Sequence, residues 1–136
     1  MDHLARLETK YPGATAWSFG DSSEMGDELA DLVLKGKKTA SCGALASFIR
    51  EGDAPTIGSY SIILNGKGEP VCVIRMVCLR IVRFSDVTAE FARKEGEGDL
   101  SLAYWRKEHK AFFEREGFYS DRMELVAEEF EVVEVL

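Results

Sequence analysis

The chain holds only two histidines, His3 and His109, and three cysteines, Cys42, Cys72 and Cys78. From so few histidines neither a Ser-His-Asp order nor a pair of metal-binding histidines can be assembled. The cysteines are odd in number and lack Cys-x-x-Cys spacing. Cys72 and Cys78 share one apolar run, roughly 20 Å apart if it stays extended at about 3.3 Å per residue, so no single disulfide or metal uses both. They read as reduced, buried or half-buried thiols. No apolar stretch reaches the roughly 20 residues that span a bilayer. Met1 to Lys10 carries mixed charges without the apolar core of a signal peptide, so a cytoplasmic protein with no membrane partner is expected. No internal repeat, linker or low-complexity segment interrupts the chain.

What is present fits one domain over residues 1–136. The hydrophobic fraction is 46% and the charged fraction 30%, enough apolar matter for a real core and too little charge excess for disorder. The net charge of −7 argues against a protein that coats duplex nucleic acid. That charge is uneven. Five glutamates and no Lys or Arg lie between Glu124 and Glu134. Basic residues gather at Lys35, Lys37 and Lys38, at Arg75, Arg80 and Arg83, and at Arg106, Lys107 and Lys110. These leave room for a local cationic cleft, although such clusters are usually solvated faces.

Helical spacing of Met25, Leu29, Leu32 and Val33 predicts a helix over 22–35, capped by Ser22 or Ser23 and stopped by Gly36. Lys37 to Gly43 reads as extended, and Ala44 to Arg50 as a short helix ended by Gly52. Ser59 to Leu64 is a strand, and Asn65-Gly66-Lys67-Gly68 signals a hairpin. Pro70 to Phe84 is apolar in both alternating phases, which requires cover on both faces; its length calls for a bulge or bend. Ser85 is expected to cap a helix to about Lys94, and Asp99 to cap the longest helix, to about Glu116. Glu124 to Leu136 closes the chain as one or two strands. The order predicts an α+β domain with a mostly antiparallel sheet curled into a barrel.

Three constellations could carry chemistry. Gly36-Lys37-Lys38-Thr39 superficially resembles the end of a phosphate-binding loop. It lacks Gly-Lys followed directly by Ser or Thr, has Asp31 where the first Gly belongs, and follows a helix instead of a strand. What remains is a helix stop with two lysines at the negative helix end, functional only if one lysine turns into a cleft. Glu95-Gly96-Glu97-Gly98-Asp99 could bind a divalent cation or place a general acid or base, though its spacing matches no metal motif. Trp105, His109, Phe112 and Phe113 share one side of the long helix, flanked by Tyr104; such a stripe is more often core than a base-stacking platform, and His109 within it more often a satisfied histidine than a catalyst.

Taken together, Trp17-Ser18-Phe19-Gly20-Asp21, Glu28-Leu29-Ala30, Gly36-Lys37-Lys38-Thr39-Ala40-Ser41, Gly66-x-Gly68-x-Pro70-Val71-Cys72, Glu95-Gly96-Glu97-Gly98-Asp99 and Ser101-Leu102-x-Tyr104-Trp105-Arg106 resemble the ASCH domain family over nearly the whole chain. The resemblance implies a PUA-like β-barrel flanked by helices, and an association with RNA binding and RNA metabolism. Some members resemble hydrolases of RNA or of acylated cytidine nucleosides, in which a lysine, a hydroxyl residue three positions later and a distant glutamate line the cleft. By motif match these are Lys38, Ser41 and Glu95, with Ser41 standing where the amidohydrolase pattern has Thr. Residues three apart on a flat strand face opposite ways, so Lys38 and Ser41 converge only if the segment bends.

The expected function is therefore binding of single-stranded RNA or a nucleotide with ribonuclease-like hydrolysis. The alternatives are an amidohydrolase of N4-acylated cytidine nucleosides and a non-catalytic RNA-binding module. Lys38, Ser41 and Glu95 are the expected catalytic residues. Lys37, Thr39, Tyr104, Trp105 and Arg106 are expected to bind substrate by charge and stacking. A divalent cation is the one cofactor left open.

Overall fold

Apolar residues in both phases of Pro70–Arg83 demand a strand covered on two sides, and the computed structural model, which describes residues 3–136, covers it in this way. This strand, β4, lies within a five-stranded sheet ordered β1-β3-β4-β5-β2. The other strands are β1 (Thr15–Trp17), β2 (Ala40–Ala44), β3 (Tyr60–Leu64) and β5 (Glu124–Val135). β1 pairs with β3 in parallel and every other pairing is antiparallel. Register shifts against β5 between Val73 and Ile74 and between Met76 and Cys78 bend the 14-residue β4, as its length required. The sheet curls into a half-barrel flanked by five helices: α1 (His3–Lys10), α2 (Ser23–Leu34), α3 (Leu45–Glu51), α4 (Ala89–Glu95) and α5 (Leu102–Glu116). The α+β expectation holds.

Alternation along the strands sorts the core. Ile63, Cys72 and Ile74 meet Leu29, Ala30 and Val33 of α2, while Ile62 and Val73 point the other way, against Leu7 of α1. Phe91 of α4 and Trp105 and Phe113 of α5 close over Ala40, Ala44, Leu125 and Ala127. Each large side chain so buried contributes about 1.5–3 kcal/mol. Of the stretch Met1 to Lys10, the first two positions lie outside the described residues. The remainder, with His3, is a docked helix, anchored by Leu7 and by Arg6 and Lys10 donating to Glu134.

Two caps fall elsewhere than expected. Ser85 sits in a 3-10 turn, and Thr88 caps α4 by accepting from Phe91 N. Ser101, not Asp99, caps α5 by accepting from Tyr104 N; Asp99 accepts instead from Ser101 N, and Leu100 takes a positive φ of 68°. The turn after Gly98 uses up two residues that helical spacing had assigned to α5.

The segment between α2 and β2 decides where the site forms. Gly36 ends α2 with a φ of 75°, and the amides of Lys37 and Lys38 both donate to Leu32 O. Thr39 N then donates to Lys94 O at 2.8 Å, and Thr39 O accepts from Phe130 N. The chain is thus pinned between the C-terminal ends of α2 and α4. Gly96 makes this approach possible: it turns out of α4 at a φ of 74°, with its α-carbon against the Lys37 carbonyl, where a Cβ would collide. Gly96→Ala is expected to destabilise the protein by about 1–2 kcal/mol from the left-handed backbone alone, with the collision adding to it. Urea unfolding checks this, and a midpoint equal to the wild type would refute the close approach.

Candidate functional site

Lys38 leaves the pinned segment inward and is 2% exposed. Its Nζ donates to Glu95 Oε1 at 3.0 Å, to Glu97 Oε2 at 2.9 Å and, at 3.4 Å, to Glu95 O, and it lies 5.3 Å from the centre of the Phe19 ring. Glu95, the last residue of α4, is 1% exposed. Its second oxygen accepts from Trp105 Nε1 at 2.7 Å and faces His109 Nε2 at 3.4 Å. Two separate parts of the chain, the pinned segment and α5, thus place three donors on one buried carboxylate.

The protonation states follow from these partners. Burial alone would push Glu95 up, but the Lys38 charge, then His109 and Trp105, hold its carboxyl well below the usual carboxylate range. Burial pulls Lys38 down, and the charges of Glu95 and Glu97 more than offset it, so the amine is an ammonium. His109 Nδ1 faces Trp105 O at 2.9 Å, an acceptor, so it carries a proton. Nε2 faces an ionised carboxylate and carries one as well. His109 is therefore an imidazolium; burial opposes this, and Glu95 raises its pKa.

Ser41, on β2, reaches the same cavity, of about 260 Å³, as Lys38, Glu95, Tyr104 and His109. The bend that Lys38 and Ser41 needed is supplied at Thr39, because Lys38 precedes the strand and Ser41 lies within it. The hydroxyl of Ser41 makes no hydrogen bond among the described residues. Cys42 lies beside it. Burial first, and then Glu95, push its thiol far up, so it is no thiolate nucleophile. Cys42, Glu95 and His109 place one donor atom each within 4.8 Å of one another. A cation there would meet a protonated thiol, a protonated imidazole and the Lys38 ammonium, so these residues do not fit a metal.

The expected substrate-binding residues are not brought together. Tyr104 lines the cavity, packed over Gly98. Trp105 is 2% exposed, with its ring against Phe84 and stacked on His109 at 4.2 Å, and it offers no free face to a base. Lys37 and Thr39 are exposed and do not line the cavity. Arg106 is exposed and donates to Ser85 O. Nor do the basic clusters form a cationic cleft. The cavity walls carry Glu28, Glu95, Glu97 and Glu108 against Lys38, His109 and Arg115.

Sequence reading named Glu97 only within its acidic loop and His109 only within the apolar stripe, and it missed Phe19 and Cys42 as parts of this site and Glu128 next to it. Glu128, on β5 directly opposite Ser41, is 5% exposed. A signal existed for it: Val126, Glu128 and Phe130 share one phase of the strand, which puts a charge among apolar residues.

Two outcomes test this network. Lys38→Met leaves the buried carboxylate short of its main partner and is expected to cost about 3–5 kcal/mol in urea unfolding, part of it recovered by Lys38→Met/Glu95→Gln; an unchanged single variant would refute the pairing. Since the His109 pKa is raised, its stabilising charge is fully present below about 6.5 and is lost as pH rises through the raised value. Nitrogen NMR at neutral pH should show both ring nitrogens of His109 protonated, and a neutral ring would contradict the assignment.

Among proteins of curated function, none matches this chain. Residues 15–134 match the ASCH domain family. Among solved structures, a protein from Enterococcus faecalis is 36% identical, with a TM-score of 0.86, over 97% of this chain and 86% of that one. An ASCH domain from Lactobacillus crispatus is 34% identical, with a TM-score of 0.85, over 95% of this chain and 85% of that one. A hypothetical protein at 16% identity shares the fold alone, with a TM-score of 0.57 over 88% of this chain and 97% of that one. With its fold, its motifs and 120 consecutive residues in agreement, the chain belongs to the ASCH domain family.

Proposed function

We propose that this ASCH domain hydrolyses a small, uncharged nucleoside amide of the N4-acylated cytidine class at the cavity walled by Lys38, Ser41 and Glu97. The observation that carries the reading is a buried ammonium facing a solvent-open hollow whose walls carry four carboxylates and three cationic side chains. Such a hollow offers phosphate no net positive charge, and an RNA backbone would need basic residues that lie elsewhere. The family's general link with RNA binding remains compatible with a ligand made of nucleoside.

Lys38 holds its bond to Glu97 at the rim, where the Glu97 side chain is 18% exposed. An incoming acyl oxygen can replace that carboxylate and take a proton-bearing arm of the ammonium, which then stabilises negative charge on the oxygen as water adds to the carbonyl carbon. Ser41 orients the water. The released Glu97 carboxylate accepts the water's proton and delivers it to the departing amino nitrogen as the C–N bond breaks, giving a carboxylic acid and the free amine. Glu95, already committed to Lys38, Trp105 and His109, is a positioning residue that keeps the ammonium aimed and charged.

Purified protein incubated with N4-acetylcytidine should release cytidine. Lys38→Ala should slow this by about 100-fold or more, and Ser41→Ala by about tenfold or more, with both variants checked for folding by circular dichroism. Labelled single-stranded RNA should remain uncut. Cleavage of the RNA that disappears in Lys38→Ala would replace this reading with the phosphoryl one. Salt-sensitive RNA binding without any product would replace it with a binding module.

A further inference from the structure

A second cavity, of about 650 Å³, adjoins the first, and the proposed chemistry leaves it unused. The two meet at Phe19, Gly20, Ser41 and Cys42, which line both. Trp17, Phe48 and Tyr60 give the larger cavity aromatic wall, and Thr56 and Ser59 give it polar groups. Glu128 also lines it. This side chain is 5% exposed, and its carboxyl has no hydrogen bond or ion pair among the described residues. Among the described residues no fully buried side-chain oxygen or nitrogen lacks a partner, so this unpartnered carboxyl keeps its oxygens open to the cavity, where a ligand can reach them. Here it faces an open volume large enough for a ring system.

We infer that the larger cavity is a subsite for a planar nucleobase, whose ring-nitrogen acceptor and neighbouring exocyclic N–H pair with the carboxyl of Glu128. The inference rests on the proposed nucleoside amide and names how its base is held. A protonated carboxyl offers one donor and one acceptor side by side, which matches that edge of cytosine; an ionised one offers two acceptors and meets the ring nitrogen with repulsion. Burial, and next the Glu95 charge, raise the Glu128 pKa to about 7, with Lys38 opposing. The charged and titratable groups around it are Glu95 of α4, Lys38 of the segment before β2, Cys42 of β2, and Asp53 and Tyr60 on the cavity wall.

The geometry joins the two cavities into one substrate path. Ser41 and Glu128 are directly paired across β2 and β5, so their side chains leave the same face about 4.5–5.5 Å apart at Cβ. A base held by Glu128 brings its exocyclic nitrogen to the shared wall at Ser41. The acyl group on that nitrogen then extends into the smaller cavity, toward Lys38.

Calorimetric titration with free cytidine, which cannot be hydrolysed, tests the subsite apart from the chemistry. Wild-type affinity should fall at least about tenfold between pH 6 and pH 8.5, as a carboxyl of pKa about 7 ionises. Glu128→Gln, whose amide also pairs a donor with an acceptor, should bind within about threefold of wild type at pH 6 and lose the pH dependence. Glu128→Ala, and wild type with N4,N4-dimethylcytidine, should each bind at least about tenfold more weakly. Retention of the pH dependence in Glu128→Gln overturns the subsite without recourse to the alanine variant, as does undiminished binding of dimethylcytidine. If these bindings follow expectation while N4-acetylcytidine is left intact, the subsite stands and the hydrolase reading fails; hydrolysis lost in Lys38→Ala with cytidine binding indifferent to Glu128 gives the reverse.

Discussion

The buried pair of Lys38 and Glu95 is the constraint around which the domain is arranged. Neither charge could leave water alone, since an unpaired buried ion is far costlier than any single apolar contact is favourable. The pair exists because the ends of α2 and α4 meet at Gly96 and the pinned 37–39 segment, and because α5 lays Trp105 and His109 across the carboxylate. The network accounts for a tryptophan that is core by burial yet polar by duty: its ring fills space beside Phe84 while its N–H satisfies Glu95. The same arrangement fixes what Glu95 is able to do. A carboxylate that accepts from several donors and titrates well below its usual range is a poor proton shuttle. Its part is to hold an ammonium at a cavity wall.

Charge then selects among ligands. The family's general link with RNA would suggest a basic track, but Lys37 and Arg106 point to solvent, Arg80 is paired with Glu129 and Lys94 with the same glutamate. The charged side chains that face the hollow are four carboxylates and three cations. A polyanion approaching it would have to displace carboxylates from cations that already need them. A neutral ligand has only to exchange one hydrogen bond, that of the partly exposed Glu97, and can gain apolar contact from Phe19 and Phe112 on the way in.

How much of this was legible in sequence follows from the range of the interactions concerned. Helix α2 and its glycine stop, the Asn65–Gly68 turn and the two-faced β4 rest on local spacing and were readable. So was the need for a bend between Lys38 and Ser41, though not its source, because the hydrogen bond from Thr39 to Lys94 spans 55 positions. The caps at Thr88 and Ser101 failed for a smaller reason: several polar residues competed within a few positions, and the turn at Gly98 decided between them. Trp105 and His109 were read as core by their spacing on α5, which was half correct. Nothing in that spacing tells that the apolar stripe lands on a carboxylate brought in from α4.

One electrostatic fact ties the two cavities together. The negative charge of Glu95 raises the proton affinity of Lys38, of His109 and, across the sheet edge, of Glu128. It keeps the amine charged on one side of Ser41 and favours an uncharged carboxyl on the other. A single buried anion thereby gives the smaller hollow a cation suited to a developing oxyanion, and the larger one a neutral donor and acceptor pair suited to a base edge. Without that anion the amine would lose its main reason to stay protonated, while Glu128 would ionise more readily next to it. The two groups would then tend toward pairing with each other, and the separation between the proposed reacting end and the proposed recognising end would be lost. On this argument Glu95 acts on substrate only through the charges it sets in its neighbours.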